Sequence, residues 1–184
     1  MDTLTQKASK IRLLVLDVDG VLSDGKIYTA ASGEAFKRFD VKDGLGVKMV
    51  LRNGIDVAII TAKSSEIVRY RAAELGIETV YQGVPDKTIA LKEILQAKGL
   101  TYDEVAYVGD DLPDLAVMRE VGLTACPSNA TAVIRDEVDF VLSRAGGDGA
   151  VREFTDFILE AQGKMQETLE KMFLHPDTQA RHRY

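Results

Sequence analysis

The sequence predicts a three-layer α/β fold built on a Rossmann-like parallel sheet, and three observations carry that expectation. Short apolar runs of strand length recur along the chain, each followed after a turn by a stretch with helical spacing of apolar residues. Several runs end in Asp or Thr rather than in a hairpin turn. Glycine closes one helical stretch after another, at Gly76 and Gly99, where a left-handed C-terminal residue is expected. Alternation of this kind implies right-handed crossovers and ligand binding at the carboxyl ends of the strands.

Taken in order, residues 1–10 are polar and lack the apolar centre of a secretory signal. The run Leu-Leu-Val-Leu at residues 13–16 is too short for a helix with a face of its own and reads as a strand buried on both sides. It leads directly into Asp17, Asp19 and Gly20. Residues 26–29 and 35–40 read as two β segments joined through Ser32 and Gly33, a hairpin. Asp43 and Gly44 open an amphipathic helix with Leu45, Val47, Val50 and Leu51 on one face, stopping at Asn53 and Gly54. A second buried strand, residues 57–60, ends at Thr61, and Ser64 or Ser65 caps the helix that follows to about Leu75. A short strand at 79–81 and a helix at 86–98 come next. A third buried strand, 105–108, ends in Gly109, Asp110 and Asp111, with Pro113 placed for the first turn of another helix. Strands at 123–125 and 140–142 precede a last helix at 149–161. Residues 1–162 thus form one domain. Residues 163–184 form a C-terminal tail: 165–173 have helical spacing, and 174–184, polar and containing Pro176, are expected to be disordered or ordered only against a partner.

Composition narrows the function. A chain of 184 residues, 46% hydrophobic, can bury one core of its own. Net charge of −6 gives no basic footprint for nucleic acid or an anionic membrane surface. Cys126 is the only cysteine, so no internal disulfide forms, and no apolar stretch reaches the length of a membrane span. The cytoplasm is the expected compartment. The two histidines, His175 and His182, both lie in the last ten residues, so imidazole chemistry would have to draw on the tail. Carboxylates, Lys and hydroxyls are left to do the work, and their natural metal partner is Mg²⁺ before zinc.

Asp17 and Asp19 repel each other unless a cation, a shared proton or divergence of the side chains relieves them, and a divalent metal is the favoured reading. The alternative is a pair of Asp bracing a turn before Gly20. Setting the strand ends side by side brings Asp17, Asp19, Thr61, Asp110 and Asp111 to one edge of the sheet, with Lys87 at the start of a helix between them. Two acidic pairs, a hydroxyl and a lysine have a coherent use: the acids hold Mg²⁺, and the metal, Thr61 and Lys87 neutralise a phosphoryl group. Attack by Asp17 on phosphorus would give an aspartyl-phosphate intermediate, with Asp19, two residues on, able to protonate the leaving oxygen and then deprotonate the attacking water.

These motifs, D-V-D-G-V-L-S-D at residues 17–24, Thr61, Lys87 and G-D-D at 109–111, resemble in order those of the haloacid dehalogenase superfamily of phosphohydrolases. The gaps from Asp19 to Thr61 and from Thr61 to Lys87 are too short for a cap domain. V-K-D-G at 41–44, A-G-G-D-G-A-V-R-E at 145–153 and A-Q-G-K at 161–164 extend the likeness to its capless sugar-acid phosphatases. That resemblance implies an eight-carbon keto-sugar acid phosphate as substrate, on the way to lipopolysaccharide, with a nine-carbon nonulosonate 9-phosphate as the alternative. It implies metal ligation by Asp17, Asp19, Asp110 and Asp111, phosphate or substrate binding by Thr61, Ala62, Lys63, Arg71 and Lys87, and a homotetramer in which the hairpin, residues 26–40, packs against neighbours. The tail would reach a neighbouring active site. Three positions depart from the pattern. Ala62 and Lys63 stand where T-G-R is common, and Asp148 stands where G-G-R-G has arginine. Two further readings are a capless phosphatase acting on a macromolecule and a receiver-like phospho-acceptor domain, although a receiver has its acid pair before the phosphorylated Asp, the reverse of the order here.

Overall fold

In the computed structural model, which describes residues 3–174, six parallel strands form one sheet in the order β5-β4-β1-β6-β7-β8. They are β1 (Leu13–Leu16), β4 (Asp56–Thr61), β5 (Thr79–Gln82), β6 (Val105–Val108), β7 (Leu123–Cys126) and β8 (Phe140–Val141), with β2 (Thr29–Ala30) and β3 (Gly33–Glu34) paired separately as a small antiparallel hairpin. The chain builds outward from β1 to β4 and β5, then returns to β6 on the other side, so β1 lies where the strand order reverses. Ligands bind at such a point in open α/β sheets.

Side chains alternate between two cores. Leu14, Leu16, Val57, Ile59, Ala106 and Val108 point to one face, under helices α2 (Val41–Arg52), α3 (Glu66–Leu75) and α7 (Ala150–Ala161). Leu13, Val15, Ala58, Ile60, Val105 and Tyr107 point to the other, under α4 (Lys87–Lys98), α5 (Leu115–Met118) and α6 (Ala132–Glu137). Helices on both faces leave no wet side, which is why the strands read as unbroken apolar runs. Gly76 and Gly99 do end α3 and α4 in the left-handed conformation.

Several boundaries differ from the sequence expectation. Helix α2 begins at Val41 with Asp40 as its cap, its side chain accepting the Lys42 N–H, while Asp43 is buried inside the first turn. The hairpin strands are two residues each and closer to the turn than expected, because no sheet extends their ladder and Ile27 and Phe36 lie exposed. Helices α1 (Thr3–Ala8) and α6 carry too weak an apolar period to announce themselves; α1 is held by buried Ala8, and the Gln162 amide donates to the Ala8 and Ile11 carbonyls. Pro113 sits in a tight turn, Leu112–Asp114, ahead of the four-residue α5. Beyond α7, α8 (Met165–Leu169) continues into one wider turn, Glu170–Leu174, and Asn53 and Lys164 tie this segment to the end of α2. The expected disorder beyond Leu174, with His175 and His182, lies outside the described residues.

Two glycines let loops meet over β1. A Cβ on Gly20, at φ +93°, would stand 2.0 Å from Asp110 Oδ2, and a Cβ on Gly146 would stand 1.8 Å from the Gly20 carbonyl oxygen. Gly147 N–H donates to Val21 O at 3.0 Å, so the 145–149 loop is clamped on the turn that follows Asp17. Gly146→Ala is expected to force the two loops apart, lowering the melting temperature by roughly 5–10 °C; thermal melting checks this.

Candidate active site

The site is assembled at the carboxyl ends of the three adjacent strands β4, β1 and β6. The Asp17 N–H donates to Val108 O at 3.0 Å, carrying the β1–β6 pairing one residue beyond the strand and fixing the start of the turn. Residues 18–22 then make one wide turn, closed by Ser23 N–H on Val18 O at 2.9 Å and bent at Asp19 and Gly20. Asp17, Asp19, Gly25, Thr61, Ala62, Lys63, Lys87, Asp110, Asp111, Pro113 and Asp114 line one cleft of about 280 Å³.

Lys87 is the floor of that cleft. Its side chain is buried, and Nζ lies 2.9 Å from Asp17 Oδ1 and 2.6 Å from Asp114 Oδ1. Burial by itself would lower the lysine pKa, but the two carboxylates outweigh it and the shift is upward, so the ammonium form holds. Asp114, 1% exposed, also accepts the Tyr107 hydroxyl at 2.7 Å on Oδ1 and the N–H groups of Asp110 and Asp111 on Oδ2. It organises the loop after β6 from within.

One oxygen from each of Asp17, Asp110 and Asp114 lies within 4.8 Å of the others. Burial, then the Asp114 charge, raises Asp17 to about 6 against the pull of Lys87. Burial, then Asp17, Asp114 and Asp111, raises Asp110 to about 7. An all-oxygen, over-negative cluster of this kind suits a hard divalent cation, which would relieve the repulsion that the shifts record.

Most residues singled out from sequence arrive in the cleft, with three differences. The Asp19 side chain turns away from the acid cluster: Oδ1 is 2.6 Å from Lys37 Nζ and Oδ2 3.6 Å from Lys63 Nζ. Asp111 is exposed and its Oδ1 accepts the Leu112 N–H at 2.8 Å. Arg71 is absent from the cleft lining; it donates to Asp40 O and Glu74 and lies over the Phe39 ring, packed against the start of α2. Helix α3 turns that residue toward α2 rather than toward the mouth. Asp114 was not expected, although its place four residues after Asp110 is one helical turn and could have flagged it. Lys37 carries no local signal.

The haloacid dehalogenase-like hydrolase family model matches residues 42–122. The 3-deoxy-D-manno-octulosonate 8-phosphate phosphatase of Escherichia coli (strain K12) is 48% identical over 161 residues, 88% of this chain and 86% of that protein. The enzyme of the same name from Yersinia pestis is 44% identical over 165 residues, 90% of this chain and 88% of that one. The crystal structure of the Moraxella catarrhalis 3-deoxy-D-manno-octulosonate 8-phosphate phosphatase, in complex with magnesium ion, phosphate ion and a KDO molecule, superimposes with a TM-score of 0.90 at 42% identity, covering 93% of this chain and 98% of that one.

The raised acids make a pH prediction. Between about pH 4 and 7 the folded chain holds protons on Asp17 and Asp110 that the unfolded chain has released. Their contribution to stability is therefore largest at the acid end of that window and is lost as pH rises through about 7. Chelator-treated wild type is expected to lose melting temperature between about pH 5.5 and 8 more steeply than Asp110→Asn, by on the order of 5 °C; parallel profiles would count against the cluster.

Proposed function

The chain belongs to the haloacid dehalogenase-like hydrolases, in the family of 3-deoxy-D-manno-octulosonate 8-phosphate phosphatases, and from that membership we propose that it releases phosphate from 3-deoxy-D-manno-octulosonate 8-phosphate, a step toward lipopolysaccharide, in a Mg²⁺-dependent reaction in the cytoplasm. The observation that carries the reading is Asp17, buried 2.9 Å from Lys87 on the floor of an acid-lined cleft. No helix of the described residues is long and apolar enough to cross a membrane.

Asp17 is the nucleophile. Its carboxylate oxygen bonds to phosphorus as the bond from phosphorus to the sugar oxygen breaks, and Asp19 gives its proton to that oxygen. Water then bonds to phosphorus and passes a proton to Asp19, and the bond to Asp17 breaks, restoring both acids and freeing phosphate. Lys87 orients Asp17 and neutralises the phosphoryl oxygens, assisted by the Thr61 hydroxyl, the main chain at Ala62 and Lys63 at the rim. Asp17 and Asp110 are the carboxylates that would hold Mg²⁺, with the Asp19 main-chain carbonyl and Asp111 completing its surroundings. When bound, the ion supplies positive charge to the phosphoryl oxygens. Asp114 braces rather than ligates, since Lys87, Tyr107 and two N–H groups already occupy it.

The expected outcome is a kcat/KM about a hundredfold higher, roughly 2.7 kcal/mol, for the eight-carbon acid than for a nine-carbon sugar-acid 9-phosphate or a phosphopeptide. Chelation should silence turnover and Mg²⁺ restore it, and Asp17→Asn should abolish it in a folded protein. Preference for the nine-carbon acid would keep the chemistry and replace the substrate. Exposed Ile27 and Phe36 support assembly as a homotetramer through residues 26–40. Gel filtration is expected to show a tetramer that Ile27→Glu with Phe36→Glu dissociates; a wild-type monomer with an open cleft would favour a macromolecular substrate instead.

A further inference from the structure

Asp19 has little in its own turn to hold it. Ser23 Oγ reaches Oδ1 only at 3.4 Å, and the close contact at that oxygen, 2.6 Å, comes from Lys37, eighteen residues further along on the hairpin. The two carboxylate oxygens are thereby divided. Oδ1 faces Lys37, and Oδ2 faces Lys63, which lines the cleft. The two lysines differ in kind: the Lys63 side chain is 63% exposed, whereas that of Lys37 is 6% exposed and is absent from the cleft lining. Lys37 stands outside the lining of the cleft and meets it through Asp19.

Lys37 is itself tied, through Glu34, to the start of α3 and the end of β5. Its Nζ lies 3.0 Å from Glu34 Oε1, and Glu34 Oε2 accepts the Ser65 hydroxyl at 2.5 Å. Ser65 caps α3 through the Val68 N–H, and its own N–H donates to Gln82 Oε1 at the end of β5. A chain of polar contacts therefore runs from the sheet edge through Ser65, Glu34 and Lys37 to Asp19. An exposed ion pair orders little, but an ammonium whose side chain is 6% exposed and which meets two carboxylates restricts the rotation of the side chain it holds.

We infer that Lys37, seated by Glu34, is a positioning residue that fixes one oxygen of Asp19 so that the other is presented to the cleft for proton transfer. The inference rests on Asp19 being the acid and base of the reaction. It makes the hairpin part of the catalytic machinery as well as a surface feature.

The test compares wild type, Lys37→Met, Glu34→Gln and Asp19→Asn on 3-deoxy-D-manno-octulosonate 8-phosphate, whose alkoxide leaving group needs a proton, and on p-nitrophenyl phosphate, whose phenolate does not. Lys37→Met is expected to lose about ten- to a hundredfold in kcat on the sugar phosphate with KM within about threefold. On p-nitrophenyl phosphate it is expected to keep a fast burst of nitrophenolate and then turn over slowly, because transfer to Asp17 proceeds while water attack, which needs the base, lags. Glu34→Gln should show the same pattern, more weakly, and decides the matter should Lys37→Met not fold. Wild-type kcat and burst behaviour in both, or equal losses on both substrates with no burst, would overturn the positioning role, provided that Asp19→Asn shows the leaving-group dependence. Absence of that dependence in Asp19→Asn would instead overturn the acid–base reading, and the inference with it.

Discussion

The cleft rests on an imbalance of buried charge: one ammonium, on Lys87, faces the carboxylates of Asp17, Asp110 and Asp114. At an effective dielectric near 20, two unit charges about 4 Å apart interact by about 4 kcal/mol, equivalent to about 3 pKa units. That is the scale on which burial and its acidic neighbours move Asp110 from 3.8 to about 7. The protein tolerates the excess because each group is held from elsewhere. Asp114 is saturated by Lys87, Tyr107 and two backbone N–H groups, Asp17 is pinned by the β1–β6 pairing, and Gly20 makes room for Asp110 by having no Cβ. The same excess of acid is what would make this cluster a seat for a hard divalent cation.

Holding that cluster requires loops to be as fixed as strands. The 145–149 loop closes on the turn after Asp17 at Gly146 and Gly147, and it leads into α7, whose first N–H groups are capped from another helix. Asp43 of α2 accepts the N–H of Gly149 at 3.2 Å and of Arg152 at 2.8 Å. Burial raises Asp43 to about 6, opposed by those N–H donors, so it is mostly ionised at neutral pH and sits at the positive end of α7. Helices α2 and α7, the glycine loop and the turn after Asp17 form one continuous support.

How much of this was legible in the sequence follows from the range of each interaction. Strand ends were readable, because an apolar run that stops at Asp17, Thr61 or Asp110 is a local pattern, and the parallel order followed from alternation with helices. Asp114 was within reach, since the D-D-L-P-D spacing returns it to the loop it braces, but proline suggested an ordinary helix start and the acid was passed over. Lys37 and Arg71 were not legible. One lies on an exposed hairpin yet is buried against Asp19, and the other lies on α3 yet is spent on Asp40 and Phe39. Both outcomes depend on contacts across 18 and 31 residues of chain, which no window of periodicity contains. The hairpin extent failed for the complementary reason: β propensity was present, but there was no neighbouring strand to extend the ladder.

The same long-range view accounts for the reversed charge at Asp148. In the resembled string an arginine occupies this position, and an acid there ought to repel an anionic substrate. Here Asp148 Oδ1 faces Arg38 Nη2 at 3.8 Å, and Arg38 Nη1 is 4.0 Å from Asp24, whose carboxylate also accepts the Tyr28 hydroxyl and the Lys26 N–H. The hairpin therefore brings its own cation to the place where the loop has lost one, and charge at this edge is balanced between two elements instead of within one. With Arg38 and Asp148 both more than half exposed, the pair adds little stability, about 0–1 kcal/mol. Its consequence is one of placement: through Arg38, Asp24 and Tyr28 it joins the 26–40 segment that carries Lys37 to the glycine loop, and it leaves Asp17, Asp110 and Asp114 untouched.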